Sequence, residues 1–353
     1  MNILASDIKQ ALKKIGSAKS ESLFVDTLAG RLVSNDSEIA VVVAGDKLKD
    51  PDFGEVFCVN ARKFTTVVNR MSGTISLTGG KSLKLESAKA KVEIELLPNK
   101  LPPFSPPKET LKLPLQTVKA LLNYVAVGAD TNKAAAQGGV AQLTSVVGGG
   151  FSAAAIGTNG SRLVFESMVT DNYLRDKSLA YLIPLPALEA IKKLDGETLH
   201  AQETDKQFYF ADATTSIYAR KLVKQFPNYA DFVPKTFKFS VTLDARKFEE
   251  ALRTVEPFVP DAGAHAVSLL FSEGNLKLTA SDGGKAEDEV PYTQVFPDPI
   301  FETTEFKNKL NFVHLMDFVK VVSGDILFQV NTDRDPAVLE AGGRKLMTAA
   351  ILT

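Results

Sequence analysis

One helical template, written six times along 353 residues, constrains this chain more than any other feature. Phe64, Val67, Val68 and Met71 fall at i, i+3, i+4 and i+7, and so do Phe248, Ala251, Leu252 and Val255. That spacing places four apolar side chains on one face of a helix. Both runs begin with the tetrapeptide ARKF, at 61–64 and 245–248, each behind a residue suited to cap a helix, Asn60 or Asp244. The template recurs at Ile8/Ala11/Leu12/Ile15, Val118/Leu121/Leu122/Val125, Ala187/Ala190/Ile191/Leu194 and Leu315/Phe318/Val319/Val322. Successive first anchors lie 56, 54, 69, 61 and 67 residues apart. Ser6 or Asp7 and Asn311 supply further caps, and prolines 114, 184 and 186 open the remaining helices.

Between the helices the period changes to two. SLKLES (82–87), KVEIEL (91–96), NLKLTA (275–280) and DILFQV (325–330) alternate apolar with polar residues and are bounded by Gly-Gly and Glu-Gly-Asn turn signals. Each repeat therefore reads as a short helix followed by a small antiparallel strand set. Amphipathic helices alone occur in any α+β protein; near-regular intervals on one template point to internal duplication. Two repeats per domain give an α+β chain of three tandem domains, 1–113, 114–235 and 236–353. The breaks fall at LPPFSPPKETLKLP (101–114), which reads as an extended linker, and at VPKTFKFS (233–240).

With 44% hydrophobic and 24% charged residues, the chain has the balance of a globular protein with ample core material. No apolar run reaches membrane-spanning length, and the N-terminus lacks the basic start and apolar run of a signal peptide. A lone cysteine, Cys58, rules out an intrachain disulfide framework; a cytoplasmic location is expected.

The net charge of −1 excludes a molecule that is basic overall. Its distribution is uneven, however. Windows around the six helices sum to +7 and the remainder to −8, with +3 each from residues 5–19 and 61–71. Basic helices beside acidic strands suit a protein that meets a polyanion on one surface only.

Chemistry-bearing constellations are absent from the sequence. His200, His265 and His314 are far apart, and Cys58 has no ligand partner at zinc spacing, so no metal is expected. The glycine run VVGGGFSAA (146–154) has neither a Gly-Lys-Ser/Thr ending nor GxGxxG spacing, and reads as a hairpin turn. No Gly-x-Ser-x-Gly elbow is present, and Glu249 and Glu250 are adjacent on a helix rather than convergent. A non-enzymatic protein without cofactors is expected. Two stretches stand outside the periodic pattern: GTNGSRLVF (157–165), and KLVKQFPNYADFVP (221–234) with its aromatics and prolines. They suit either self-packed loops or a rigid apolar surface that receives a peptide.

These segments resemble the bacterial DNA polymerase III β subunit family, the replication sliding clamps. Thr158-Asn159-Gly160-Ser161-Arg162-Leu163 is similar to the family's Thr-Asp-Gly-His-Arg-Leu. Lys221-Leu222, Phe226-Pro227-Asn228-Tyr229 and Pro234 are similar to its Lys-Leu…Phe-Pro-Asp-Tyr…Pro segment. ARKF, Leu194-Asp195-Gly196 and the Asn-Leu-Lys-Leu-Thr-Ala of the last domain extend the likeness in order along the chain.

The resemblance implies three clamp domains, each with two inner helices and outer antiparallel sheets, and a head-to-tail homodimer closed into a ring around duplex DNA. It implies sequence-independent phosphate contact by Lys9, Lys13, Lys14, Arg62, Lys63, Arg70 and Lys119. It also implies a groove for short peptides of polymerase and clamp-loader subunits, walled by Thr158, Gly160, Ser161, Arg162, Leu163, Pro227, Asp231 and Phe232. A looser alignment adds Val140, Asn311, His314, Pro336 and Met347. Dimer contacts are expected from Val92 and Ile94 on a first-domain edge strand against Phe258 and Val259 of a partner's third domain. The chain departs from the family pattern at Asn159, Ser161 and Asp231, and in ending AAILT; Asp231 favours a basic residue in the peptide. Two other readings compete: a monomeric protein built from the same repeats, and an enzyme on repeated α+β domains.

Overall fold

The structure, a computed structural model, describes residues 1–16, 20–128, 139–145, 150–158, 160–171, 179–221, 233–261, 263–295 and 305–352. A helix forms at each of the six template sites: α1 (Ala5–Ile15), α2 (Ala61–Arg70), α3 (Leu115–Gly128), α4 (Leu185–Ile191), α5 (Ala245–Val255) and α6 (Phe312–Val319); the fourth anchors Met71, Leu194 and Val322 lie just past the ends of α2, α4 and α6. The shared template works the same way each time, because Ile8, Phe64, Val118, Ala187, Phe248 and Leu315 are all buried. Asn60, Asp244 and Asn311 cap as expected, accepting from the backbone N–H of Lys63, Lys247 and His314 at 2.9, 2.9 and 3.1 Å. At α1 the expectation fails. The N-cap is Leu4, without a side-chain bond, and Ser6 and Asp7 lie inside the helix. The Ala5 N–H is satisfied instead by the Gly73 carbonyl at 2.9 Å, so no capping side chain is required.

The chain forms two compact units, residues 1–120 with 182–223, and residues 121–181 with 224–353. In chain order the strands are β1 (Asn2–Leu4), β2 (Ser22–Asp26), β3 (Arg31–Asn35), β4 (Ile39–Ala44), β5 (Val56–Asn60), β6 (Thr74–Thr78), β7 (Ser82–Ser87), β8 (Ala90–Glu95) and β9 (Leu111–Pro114). After α3 come β10 (Gly139–Ser145), β11 (Gly150–Thr158), β12 (Arg162–Asp171) and β13 (Leu179–Ile183); after α4 come β14 (Thr198–Glu203), β15 (Gln207–Ala211) and β16 (Thr215–Arg220). The last third adds β17 (Phe239–Asp244), β18 (Ala266–Ser272), β19 (Asn275–Ala280), β20 (Ala286–Gln294), β21 (Glu305–Asn311), β22 (Asp325–Val330), β23 (Ala337–Ala341) and β24 (Arg344–Thr348).

The first unit holds a sheet of order β1-β6-β7-β8 and a second of order β5-β2-β3-β4-β16-β15-β14-β9. The second sheet is continuous because β4 pairs with β16, Val43 opposite Thr215 and Ile39 opposite Ala219. Residues Leu101 to Thr110 carry no regular structure, as the proline-rich stretch suggests. They are not a free tether, since Leu101 and Phe104 pack on the cluster around Phe24, Val33 and Tyr218. Leu111–Pro114, also read as linker, forms β9 against β14.

In the second unit the order β10-β11-β12-β24-β23-β22-β17-β20-β19-β18-β21 runs through one sheet, with antiparallel pairing at each registered step. β10 and β11 flank the glycine run, whose residues 146–149 lie outside the described part. One core cluster carries this unit, with Phe248, Phe271, Phe318 and Phe328 fully buried at its centre. Burying a side chain of that size stabilises by about 1.5–3 kcal/mol.

Candidate peptide groove and nucleic-acid interface

In the second unit, β12 and β24 pair with Leu163 opposite Met347, and Met347 pairs on its other side with Val338. Residues directly opposite share a face, so these three side chains stand in a row. They line a cavity of about 310 Å³ together with Phe165, Val233 and Pro234, with Lys235 and Lys345 also in its wall. The structure thus brings two expected groove residues, Leu163 and Met347, into one apolar pocket. Phe165, Val233 and Val338 were not expected in the groove from the sequence, and Pro234 was named only as part of the resembling segment. Phe165 was reachable, being two residues beyond Leu163 on a strand; Val338 emerges only from strand pairing.

The turn entering β12 explains its motif. Gly160 has φ 86°, a left-handed conformation that favours glycine. The Thr158 hydroxyl closes the turn, donating to the Arg162 carbonyl at 2.7 Å and accepting from the Gly160 N–H at 3.1 Å. Ser161 is exposed, and its carbonyl accepts from the Ala349 N–H at 3.0 Å.

Arg162 is largely buried: one guanidinium nitrogen donates to Asp317 of α6 at 2.7 Å, and another donates to the Val127 carbonyl at the end of α3. It ties the turn to two helices. His314 is also buried, its Nδ1 2.9 Å from the Thr348 hydroxyl. Burial, helped by the positive charge of Arg162 and His265, pushes its pKa down to about 4, so it is neutral at pH 7. Asn311 caps α6 and donates from its amide to the Ala264 carbonyl at 2.8 Å, while Pro336 is half-buried ahead of β23. Val140 lies in β10 opposite Ile156. The Val140 side chain and the residues Pro227, Asp231 and Phe232 fall outside the described part.

Beneath the turn the backbone comes close. A Cβ on Gly157 would stand 2.4 Å from the Val125 carbonyl, so this position of β11 requires glycine against α3. Nearby, Tyr124 donates to the Lys345 carbonyl at 3.0 Å, and Arg344 pairs with buried Glu166 at 2.9 Å. Burial first, then the Glu166 charge, pushes the Tyr124 hydroxyl well above its ordinary range.

The seven cations expected to meet DNA divide into two sets, all within the first unit. Lys13 on α1 and Arg62, Lys63 and Arg70 on α2 are exposed, and none makes an ion pair among the described residues. The other three are committed to the protein. Lys9 donates to the Met71 carbonyl at 2.8 Å, and Lys119 donates to the Leu194 carbonyl. Lys14, its side chain 13% exposed, pairs with Asp195 at 2.8 Å and Asp212 at 3.7 Å. Burial raises the Asp212 pKa, but backbone N–H groups of Asp195, Thr214 and Thr215 and the Lys14 charge outweigh it and hold the group low.

β8 is an edge strand, as expected. Ile94 is buried within its own sheet and Val92 half-buried, while Lys91, Glu93 and Glu95 are exposed. In the second unit, Phe258 and Val259 pack partly buried on the core after α5, with the Phe258 ring over Gly284. Among the described residues no cluster of three or more His, Cys, Asp or Glu is placed to hold a metal, and no helix is long and apolar enough to cross a membrane.

No family model matches the chain. In sequence it is 24% identical over 196 residues to a curated Beta sliding clamp of Synechocystis sp., covering 53% of this chain and 48% of the relative. It is 23% identical over 205 residues to the Beta sliding clamp of Synechococcus elongatus, covering 55% and 52%. The chain thus spans about half the length of the curated relatives it matches. Solved structures match throughout: the DNA polymerase III β subunit of Thermotoga maritima has TM-score 0.85 at 15% identity, covering 100% of this chain and 99% of that one. The β sliding clamp of C. crescentus gives 0.85 at 17%, and the DNA polymerase III β chain of Streptococcus pneumoniae gives 0.84 at 16%, with the same coverage. The architecture is therefore that of the DNA clamps, repeated helices with antiparallel sheets. In partial sequence and in full-length fold the chain is similar to the β sliding clamps.

Proposed function

We propose that the chain is a DNA sliding clamp: a non-enzymatic, cytoplasmic processivity factor that encircles duplex DNA and tethers a replicative polymerase. The observation that carries this reading is the full-length match to the β subunit fold combined with exposed, unpaired cations on α1 and α2. In the proposal the domains are 1–113, 114–235 and 236–353, and two chains close head to tail. Sheet pairing supports such seams, because β4–β16 and β12–β24 each join strands from neighbouring proposed domains by main-chain bonds. Edge strand β8 would meet the Phe258–Val259 turn of a second copy, with the exposed charges beside Val92 and Ile94 deterring wrong pairings.

Topology does the holding in this mechanism, so contact with DNA can stay weak. Lys13, Arg62, Lys63 and Arg70 would neutralise phosphates without reading bases, leaving no preferred register and allowing the ring to slide. Polymerase and loader subunits would insert short peptides at the Leu163–Met347 pocket, apolar anchors filling it. The test is retention. After loading on a nicked circle, the protein should remain bound through washing and be released when a restriction enzyme linearises the DNA. Equal retention on both forms would contradict the ring, as would a solution mass of one 38.1 kDa chain rather than two.

A further inference from the structure

We propose that a second cleft in the same unit, larger than the apolar pocket, receives an acidic segment of the partner peptide. The inference rests on the peptide groove above and names the chemistry of its continuation. The cleft, of about 690 Å³, lies on β18, β19 and β21. Register places Lys309, Ser268 and Thr279 in one cross-strand row and Lys307, Leu270 and Lys277 in the next, all on one face. Arg334 and Asp333 close one side, and Ile351 and Leu352 of the C-terminal segment another.

Charge selects the occupant. Four cations face two carboxylates, and Glu287 is already engaged, paired with Lys277 at 2.7 Å and with Lys285. Hydrogen bonds from those two lysines hold the Glu287 carboxyl down to about 2, so it stays ionised and occupied. Lys307 pairs with Glu305 at 3.7 Å, which leaves Lys309 and Arg334 as the cleft cations with no ion pair among the described residues. A continuous phosphate backbone would meet Glu287, Asp333 and the apolar Leu270, Ile351 and Leu352, the last 68% exposed. A peptide that alternates carboxylates with apolar side chains fits that mixture better.

Position connects the cleft to the groove. The C-terminal segment is bonded at both ends, Ala349 N–H to the Ser161 carbonyl at 3.0 Å and Ile351 N–H to the Lys309 carbonyl at 2.8 Å. It leads from Met347 in the pocket to Ile351 in the cleft, four residues on, a span of at most roughly 13 Å that about four extended peptide residues would cover.

Titration by fluorescence anisotropy tests the idea with a synthetic peptide bearing Leu and Phe anchors and an Asp pair about four residues away, on either flank, against its Ser-Ser counterpart. The Asp peptide should bind about fivefold tighter at low salt, and the advantage should vanish at high salt or in a Lys309→Ala, Arg334→Ala variant. Leu163→Asp should weaken both peptides. If both bind equally to the unaltered protein, the cleft assignment is wrong and the groove stands. If neither binds, the groove fails and the cleft with it. If the double variant instead loses duplex DNA and keeps its peptide preference, the cleft is a phosphate contact and the proposal falls.

Discussion

α2 and α5 begin with the same four residues, are capped the same way and bury the same phenylalanine, yet one exposes uncompensated positive charge and the other neutralises its own. Phe64 and Phe248 are both fully buried, and Asn60 and Asp244 both accept the third N–H of their helix. On α5, however, Arg246 pairs with Glu250 at 3.1 Å and Arg253 with Glu249 at 2.6 Å, one turn apart. On α2 the positions four residues from Arg62 and Arg70 hold Thr66, so its cations stay uncompensated. The template thus carries the fold, and in the proposed clamp the exposed face carries the contact with DNA. Duplication copies the first and leaves the second free to change.

The largest expected effect tests the shared half of that comparison. Phe64→Ala and Phe248→Ala should each destabilise by about 3–5 kcal/mol in denaturant unfolding. A marked difference between them would break the equivalence of the two helices. Acid separates α6 from both: it shares the template but buries His314, whose folded pKa of about 4 lies below its unfolded 6.5. The unfolded state binds the proton first, so this contribution is complete above pH 6.5 and lost as pH falls towards 4. Stability measured across that window should lose this slope in a His314→Asn variant.

Cap removal is smaller. Asn60→Ala and Asp244→Ala should cost about 1 kcal/mol each, and alike. The charged faces then sharpen the contrast. Alanine at Arg62, Lys63 and Arg70 together should lower the salt-dependence slope of DNA binding by up to about 3, roughly 0.9 per lost phosphate contact, with little change in stability. Glu249→Gln with Glu250→Gln should cost only about 0.3–0.5 kcal/mol per pair while steepening that slope, because it gives α5 the charge character of α2.

Local periodicity made the helices and several strands legible. β7, β19 and β22 coincide with the alternating segments that announced them, and every template anchor named first is buried. What escaped depended on distant partners. Leu111–Pro114 becomes a strand only because β14 lies beside it, and α1 dispenses with a cap because Gly73 supplies a carbonyl. The groove was half legible: Leu163 and Met347 meet in the pocket, whereas the ion pair that holds Arg162 to Asp317 and the burial of His314 arise from packing across the sequence. Lys9, Lys14 and Lys119 looked as free as Arg62, and no local pattern marks the acceptors that hold them.

Photocrosslinking tests the central claim most directly, with a photoreactive residue at Thr66 on the exposed face of α2 or at Lys84 on the exposed face of β7. On loaded circular duplex, crosslinks should form from position 66 and not from 84, and should disappear once the circle is cut. Crosslinking from the strand, or equal yields from both positions, would mean that DNA meets a merely charged surface and is not enclosed by the helices.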